Sequence, residues 1–222
     1  MSAATTAIGD ELTRPRFRGV THKYAFFASL ITGAVLLIVA PNGKAGLAAA
    51  IYAVSVTALF GTSALYHRIT WRPAARRWMR RLDHSMIFVL IAGTYTPFAL
   101  LVLHGTLAHA VLAVVWGGAL AGVVLKLVWI DAPKWLISGV YVAIGWVGVI
   151  TLPQLLSRAG VGAVALLAIG GLLYTAGAVI YALKRPDPSP TVFGYHEIFH
   201  LLVIAAAAIH YAAIAAYALP AS

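Results

Sequence analysis

Residues 160–183 read GVGAVALLAIGGLLYTAGAVIYAL, a run of 24 residues without a charged side chain. The hydrocarbon core of a bilayer is crossed by about 20 mostly apolar helical residues. The run is therefore long enough to cross a membrane as one α-helix. Polar residues and Pro or Gly divide the rest of the chain into further runs of this kind.

The composition of the whole chain agrees with membrane insertion. Of its 222 residues, 62% are hydrophobic and only 10% are charged, and the mean hydropathy is +0.90. A water-soluble domain of this size would lack the polar surface that it needs. The sequence predicts an all-α integral membrane protein, a seven-transmembrane helix bundle that forms a single domain over residues 1–222. The spans are expected near 23–40, 45–67, 83–103, 109–130, 135–152, 160–183 and 196–219.

The basic residues predict how the bundle is oriented. In this topology thirteen of the sixteen Lys and Arg residues fall on one side, and only Lys44 and Arg158 fall on the other. Cytoplasmic loops carry the excess of positive charge. We therefore expect a protein of the cell membrane (plasma or inner), with its N-terminal segment (residues 1–22) in the cytoplasm and its C-terminus outside. The thirteen residues are Arg14, Arg16, Arg18, Lys23, Arg68, Arg72, Arg76, Arg77, Arg80, Arg81, Lys134, Lys184 and Arg185.

The one longer connection, residues 68–82, carries six of these arginines beside Trp71 and Trp78. Such a segment is typical of a cationic surface that lies against lipid headgroups, and Pro73 is placed to begin a helix. Topology and attraction to anionic lipid account for most of the net charge of +10. Membrane lipids are therefore the expected partners, and nucleic acid is not.

Three histidines fall at the same end of the predicted bundle. His67 closes the second span, and His196 and His200 open the seventh. Residues four apart lie one above the other on a helix, so the last two share a face. Imidazole nitrogens bind Zn²⁺ at about 2.0 to 2.1 Å, and a catalytic zinc typically uses three protein ligands and one open position. Since the chain has no cysteine, His, Asp or Glu must hold any metal here.

Two further polar residues lie at this depth. Asp83 begins the third span, and Ser63 lies one turn before His67. An ionisable group in a span usually faces a cavity or a partner, because exposure to lipid is costly. Asp83 is thus a candidate general base or proton shuttle. Ser63 is a candidate to orient a water or an oxyanion, and its alternative is a hydrogen bond to its own helix.

Residues 196–200 also match the H-E-x-x-H pattern of metalloproteases, in which the glutamate is the general base. Intramembrane proteases with this pattern need a further ligand, commonly an aspartate on a later helix, and no carboxylate follows His200 here. This departure argues against a protease. Glu197 keeps two interpretations, a catalytic carboxylate or a residue that faces the cytoplasmic interface.

Three other ionisable residues in the spans have simpler interpretations. His84 points about 100 degrees away from Asp83 around the helix, which favours a packing or supporting role. His210 lies about 21 Å along the axis from His196, too far for the same metal, and is expected to be a hydrogen-bonded interior histidine. Lys126 lies close enough to the cytoplasmic end of its span for its stem to reach the interface.

The outer loop and the fourth span each contain one further pair. His104 and His109 flank the link between spans three and four and are expected to be solvated. Gly118 and Gly122 form a GxxxG pattern, which permits close contact between helices. We expect that contact to lie within the bundle rather than between two copies of the chain.

Several short motifs in this chain are shared with one family. They are Arg14-Pro15, Arg18-Gly19 and His22, Ser63-Ala64-Leu65-Tyr66-His67, Asp83-His84, Gly93-Thr94-Tyr95-Thr96-Pro97, and His196 with His200. Through them the chain resembles the hemolysin III group, which is related to the progestin and adipoQ receptor (PAQR) family and more remotely to alkaline ceramidases. The resemblance covers nearly the whole chain. It implies a seven-helix bundle with zinc on His67, His196 and His200, and with Asp83 and Ser63 beside the zinc-bound water.

Two functions are compatible with these features. The leading hypothesis is a zinc-dependent hydrolase of a lipid amide or ester, in which the metal activates water and polarises the scissile carbonyl. The competing hypothesis is a non-enzymatic zinc-containing membrane protein with a role in membrane homeostasis, sensing or lysis. A pore is disfavoured because no span carries a polar stripe. The sequence indicates neither the substrate nor the oligomeric state.

Overall fold

The computed structural model describes residues 15–41 and 43–221. Arg14 and the rest of residues 1–14, which enter the charge argument and the family resemblance, lie outside the described residues. Within the described ranges, seven helices are long and apolar enough to cross a membrane, which confirms the predicted multi-pass fold. They are α1 (Val20–Val39), α2 (Lys44–Arg68), α3 (Pro73–Leu101), α4 (Gly105–Val128), α5 (Lys134–Arg158), α6 (Gly160–Leu183) and α7 (Tyr195–Ala221).

Helix α3 begins ten residues before the expected start of the third span. Pro73 opens it, as predicted, because its fixed φ suits the first helical position. The Ala, Arg, Met and Leu residues that follow are strong helix formers. The connection after α2 is therefore reduced to residues 69–72, and the arginine-rich segment forms an exposed helical extension in which Trp78 is 63% exposed.

The helices enclose α3. In the most apolar stretch of α3, 61% of the residues are buried, whereas the figure for the corresponding stretch of α5 is 17%. Helix α3 packs against α2, α4, α5 and the end of α7, while α1 contacts both α2 and α7 and so closes the bundle. The outward faces are apolar: Ile38 and Val128 are 82% and 80% exposed. A surface of this kind suits contact with lipid tails.

Glycines allow α3 to approach its neighbours closely. A Cβ on Gly93 would lie 2.2 Å from Oγ of Ser55 on α2, and a Cβ on Gly122 of α4 would lie 2.3 Å from the ring of Phe88. Gly118 lies one turn away and faces Ile144 of α5. The GxxxG pattern thus packs within the bundle, as expected.

Helix α5 is interrupted halfway. An α-helix over Lys134–Gly145 changes to a 3₁₀ turn over Val147–Thr151 before helical geometry resumes. Tyr95 of α3 satisfies the exposed backbone groups: its hydroxyl donates to the Gly145 carbonyl at 2.6 Å and accepts from the Gly148 N–H at 2.7 Å. Irregular backbone at membrane depth requires such partners.

Candidate metal centre

Three histidine side chains converge at the end of the bundle that carries Arg18, Arg80 and most other basic residues, here called the basic end. His67 lies in the last turn of α2, and His196 and His200 lie in the first two turns of α7. One possible ligand nitrogen from each lies within 4.8 Å of the other two. All three residues are buried. The structure therefore brings together the three residues that the sequence indicated as candidate metal ligands.

The distance between two of these nitrogens suits a tetrahedral ion. Nε2 of His67 is 3.2 Å from Nε2 of His196. Two nitrogens bound to one zinc at about 2.0 to 2.1 Å lie about 3.3 to 3.4 Å apart at the tetrahedral angle. Nδ1 of His200 is buried and has no hydrogen-bond partner among the described residues. The three imidazoles and the spacing of the His67–His196 pair fit zinc, and 3.2 Å also allows one ring N–H to donate to the other ring.

Two carboxylates fix where α7 begins. Oδ1 of Asp187 accepts the Tyr195 N–H at 2.9 Å, and Oε2 of Glu197 accepts the Gly194 N–H at 2.8 Å. Such hydrogen bonds satisfy N–H groups that a helix start leaves without partners. The start of α7 is thereby defined, and with it the position of His196 one residue later.

Glu197 is completely buried, so the interpretation that it faces the interface is wrong. Its Oε1 accepts a hydrogen bond from Nε of Arg18 in an ion pair. A buried carboxylate requires a partner of this kind, because its loss of hydration is otherwise uncompensated. Since both oxygens of Glu197 are engaged by the protein, the geometry disfavours a general-base role.

The segment that supplies Arg18, residues 15–19, lies beside the three-histidine group. The Phe17 N–H donates to the Val192 carbonyl at 3.1 Å, which joins the segment to the loop before α7. Gly19 adopts φ +75°, and a Cβ at this position would lie 2.5 Å from Cβ of His67. Only glycine meets both requirements. The segment therefore packs directly against one of the three histidines.

His22, in the first turn of α1, stacks on His200. The two ring centroids are 3.7 Å apart and the planes differ by 9°. Phe60 of α2 meets the His22 ring edge to face, with centroids 5.1 Å apart. The His200 ring is thus held from the side of α1, a contact that the family motif containing His22 did not indicate.

Asp83 and Ser63 also lie beside the histidines. Oδ2 of Asp83 is 3.8 Å from Nε2 of His67, and the Asp83 side chain is 11% exposed. The Ser63 side chain is next to the Asp83 carboxylate and lines the same cavity. A hydroxyl in this position orients a carboxylate without neutralising it. The arrangement provides a proton acceptor next to the histidine group.

A cavity of about 150 Å³ opens beside these residues and continues between α3, α5, α6 and α7. Ser63, Asp83, His196 and His200 line one end of it. Apolar and aromatic side chains line most of the remainder, in keeping with a site for an apolar ligand. Ser63, Asp83 and the two histidines therefore lie at one end of a cavity whose wall is mostly apolar but also includes Arg80, Lys126 and Lys134.

Two further ionisable residues form part of the cavity wall. Lys126 was expected to reach the interface, but it is 2% exposed and lines the cavity. His84 also lines the cavity, while its backbone carbonyl accepts the Tyr141 hydroxyl at 2.9 Å. Neither residue belongs to the three-histidine group.

The other histidines behave as predicted. His104 and His109 are exposed. His210 is buried, and its Nε2 interacts with the Leu167 carbonyl of α6 at 3.2 Å. It lies outside the three-histidine group. The metal centre is thus confined to the basic end.

A known protein family matches most of this chain. The family model described as Haemolysin-III related matches residues 11–211. This protein belongs to that family. The match includes all seven spans up to the last part of α7, and with them His67, Asp83, His196 and His200.

Curated relatives support the same conclusion. The chain is 34% identical over 192 residues to the Hemolysin-3 homolog of Bacillus subtilis (strain 168), covering 85% of this chain and 87% of the relative. It is 29% identical over 225 residues to Hemolysin-3 of Bacillus cereus, covering 99% and 97%. It is also 31% identical over 159 residues to the adiponectin receptor protein of Drosophila melanogaster, covering 61% and 34%. The predicted relation to the PAQR family is thereby confirmed.

Proposed function

We propose that this protein is a zinc-dependent hydrolase that cleaves an amide or ester bond of a membrane lipid. The proposal is carried by the convergence of His67, His196 and His200 beside Asp83 at the polar end of an apolar cavity. A zinc ion at this position would supply a Lewis acid that activates water and polarises a carbonyl group. The cavity would hold the acyl chain of the substrate.

The protein's own groups would manage the proton. The Asp83 carboxylate accepts a proton from water as the water oxygen attacks the carbonyl carbon. It then returns that proton to the leaving nitrogen or oxygen, and the products are a carboxylic acid and an amine or alcohol. Ser63 holds the carboxylate in position. Glu197 is held by Arg18 and takes no part.

The site is proposed to face the cytoplasm from the cell membrane. Arg16, Arg18, Lys23 and Lys134 all lie at the basic end, as do the arginines that extend α3. Cytoplasmic segments carry such an excess of positive charge. The orientation is testable by attaching a membrane-impermeant reagent to a single cysteine introduced at the exposed Lys184.

Replacement of Asp83 tests the hydrolase. Asp83→Asn should retain zinc and lose activity by about 10²- to 10⁴-fold on acyl amides and esters presented in micelles, because a general base is removed. Asp131→Asn is the matched control when the acyl amides and esters are neutral, since Asp131 is 76% exposed and its ion pair is with Arg80. Equal activity of Asp83→Asn and wild type, at equal zinc content, would refute the mechanism.

A second candidate is a structural zinc in a protein with a lytic or sensing role. It is favoured by the position of the three histidines, which join α2 to α7, and by the name Hemolysin-3 of the bacterial relatives. Under this reading Asp83→Asn has little consequence. Removal of zinc should instead lower the melting temperature and alter lysis of erythrocytes by the purified protein.

A further inference from the structure

Lys126 is a buried cation for which the proposed reaction has no use. It lies in the last turn of α4, is 2% exposed and lines the cavity. Within residues 15–41 and 43–221, its ammonium group forms no hydrogen bond or ion pair. A charged group within a membrane helix is costly and marks a ligand path or a partner. Asp131 attracts Lys126 but is itself paired with Arg80, so a group that contacts the Lys126 ammonium directly would come from the cavity.

The wall around Lys126 is positively charged. Arg80, Lys126 and Lys134 line the cavity together with a single carboxylate, that of Asp83, which lies 3.8 Å from His67. His84 lines the cavity with these three cations. This part of the wall is suited to an anion.

The other two cations are already held by the protein. Nη1 of Arg80 binds Oδ1 of Asp131 at 2.8 Å. Nζ of Lys134 donates to the Tyr195 hydroxyl at 3.0 Å and lies 4.4 Å from the centre of the Tyr181 ring. These contacts fix Arg80 and Lys134 in place. Lys126 is thus the cation available to form a direct contact.

We propose that Lys126 binds the phosphate of an acyl lipid, with Arg80 and Lys134 adding to the positive potential around it. Lysine is a common phosphate ligand, and a charged hydrogen bond in a site shielded from water is strong. The apolar part of the cavity, formed by residues such as Ile91, Val142 and Val203, holds the acyl chain. The substrate class is then a phosphate-bearing acyl lipid rather than a neutral one. This specificity rests on the proposed hydrolase, but the binding step does not depend on turnover.

The test measures binding alone. The zinc-loaded protein in dodecyl maltoside micelles is titrated with octyl phosphate and followed by ³¹P NMR, with protein-free micelles as the reference. Octyl glucoside has the same chain without charge, and inorganic phosphate has the charge without the chain. Lys126→Met removes the charge but keeps the stem, and Lys23→Met at an exposed position is its matched control. Zinc content and melting temperature are measured for each variant.

Saturable binding of octyl phosphate, weakened about tenfold or more in Lys126→Met and unchanged in Lys23→Met, is the expected result. Equal binding by Lys126→Met and wild type would overturn the proposal, as would octyl phosphate binding that is lost on zinc removal but not on loss of Lys126. Inorganic phosphate binding as tightly as octyl phosphate would refute the lipid source.

The titration also separates the two proposals. If Lys126→Met does not fold, the comparison of octyl phosphate with octyl glucoside in wild type decides, since equal affinity would show that charge is not recognised. If octyl phosphate binds in a Lys126-dependent way but the protein hydrolyses no acyl amide or ester, only the proposed hydrolase is refuted. Hydrolysis that prefers neutral acyl lipids would refute the phosphate subsite alone.

Discussion

The two halves of α7 place buried histidines in different surroundings. In the first half, His196 and His200 face His67 across the gap to α2. In the second half, His210 is buried to a similar degree, but its ring meets the Leu167 carbonyl of α6. A buried histidine in a membrane helix is therefore not by itself a metal ligand. The approach of a second helix that also carries an imidazole makes the difference.

Removing one histidine from each half should give opposite metal contents. His200→Ala should lower zinc from about one ion per chain to almost none, because two remaining imidazoles hold the ion weakly. His210→Ala should retain the ion. Mass spectrometry of the purified, folded variants measures both. Zinc retained by His200→Ala, or lost from a folded His210→Ala, would contradict the distinction between the halves.

The stability of the first half of α7 also depends on the buried ion pair between Arg18 and Glu197. Arg18→Met leaves the Glu197 carboxylate buried without its partner, which should destabilise the protein by about 3 kcal/mol. The double variant Arg18→Met/Glu197→Gln should recover much of this loss, since a neutral amide still accepts the Gly194 N–H. Thermal unfolding in detergent measures these changes. Arg16→Met, at an exposed position two residues away, should have little effect, and an equal loss there would argue against the pair.

The second half depends on space for the His210 ring. A Cβ at Gly170 would lie 2.3 Å from Nε2 of His210, whereas a Cβ at Gly171 would lie 4.0 Å from its nearest neighbour, the Trp146 ring. Gly170→Ala should therefore cost about 1 to 2 kcal/mol through displacement of the ring. Gly171→Ala should be neutral or slightly stabilising. Equal melting temperatures for the two variants would show that the His210 contact is not restrictive.

Hydropathy and charge were enough to predict the seven spans, in which successive helices run in opposite directions. They did so because the bilayer sets helix length and excludes charge. They did not predict that α3 extends to Pro73, since the arginine-rich turns lie beyond the apolar part and follow helix propensity instead. They also missed the break at Gly145, because the broken stretch is as apolar as a regular helix.

At the site, the sequence predicted the depth of each residue in the membrane but not the direction in which its side chain points. His67, His196 and His200 were placed at one level because each lies at a span end, and their convergence required α1 to join α2 and α7. The interface interpretation of Glu197 and that of Lys126 were wrong, because a residue near a helix end can point to the interface or to the interior. The sequence did contain a signal of their burial. Glu197 and Lys126 are each a single charge within a mostly apolar span, and such a charge needs a partner.

The polar core of the basic end is assembled from distant parts of the chain. His67 and His196 are separated by 129 positions, and Arg18 and Glu197 by 179. During synthesis at about 5 to 20 residues per second, α2 is made roughly 6 to 25 seconds before α7 begins. A fragment that ends before α7 lacks His196 and His200 and cannot form the three-histidine group. The three-histidine group can therefore form only after the last helix has been made, so that any metal bound by all three histidines would be acquired late in biogenesis.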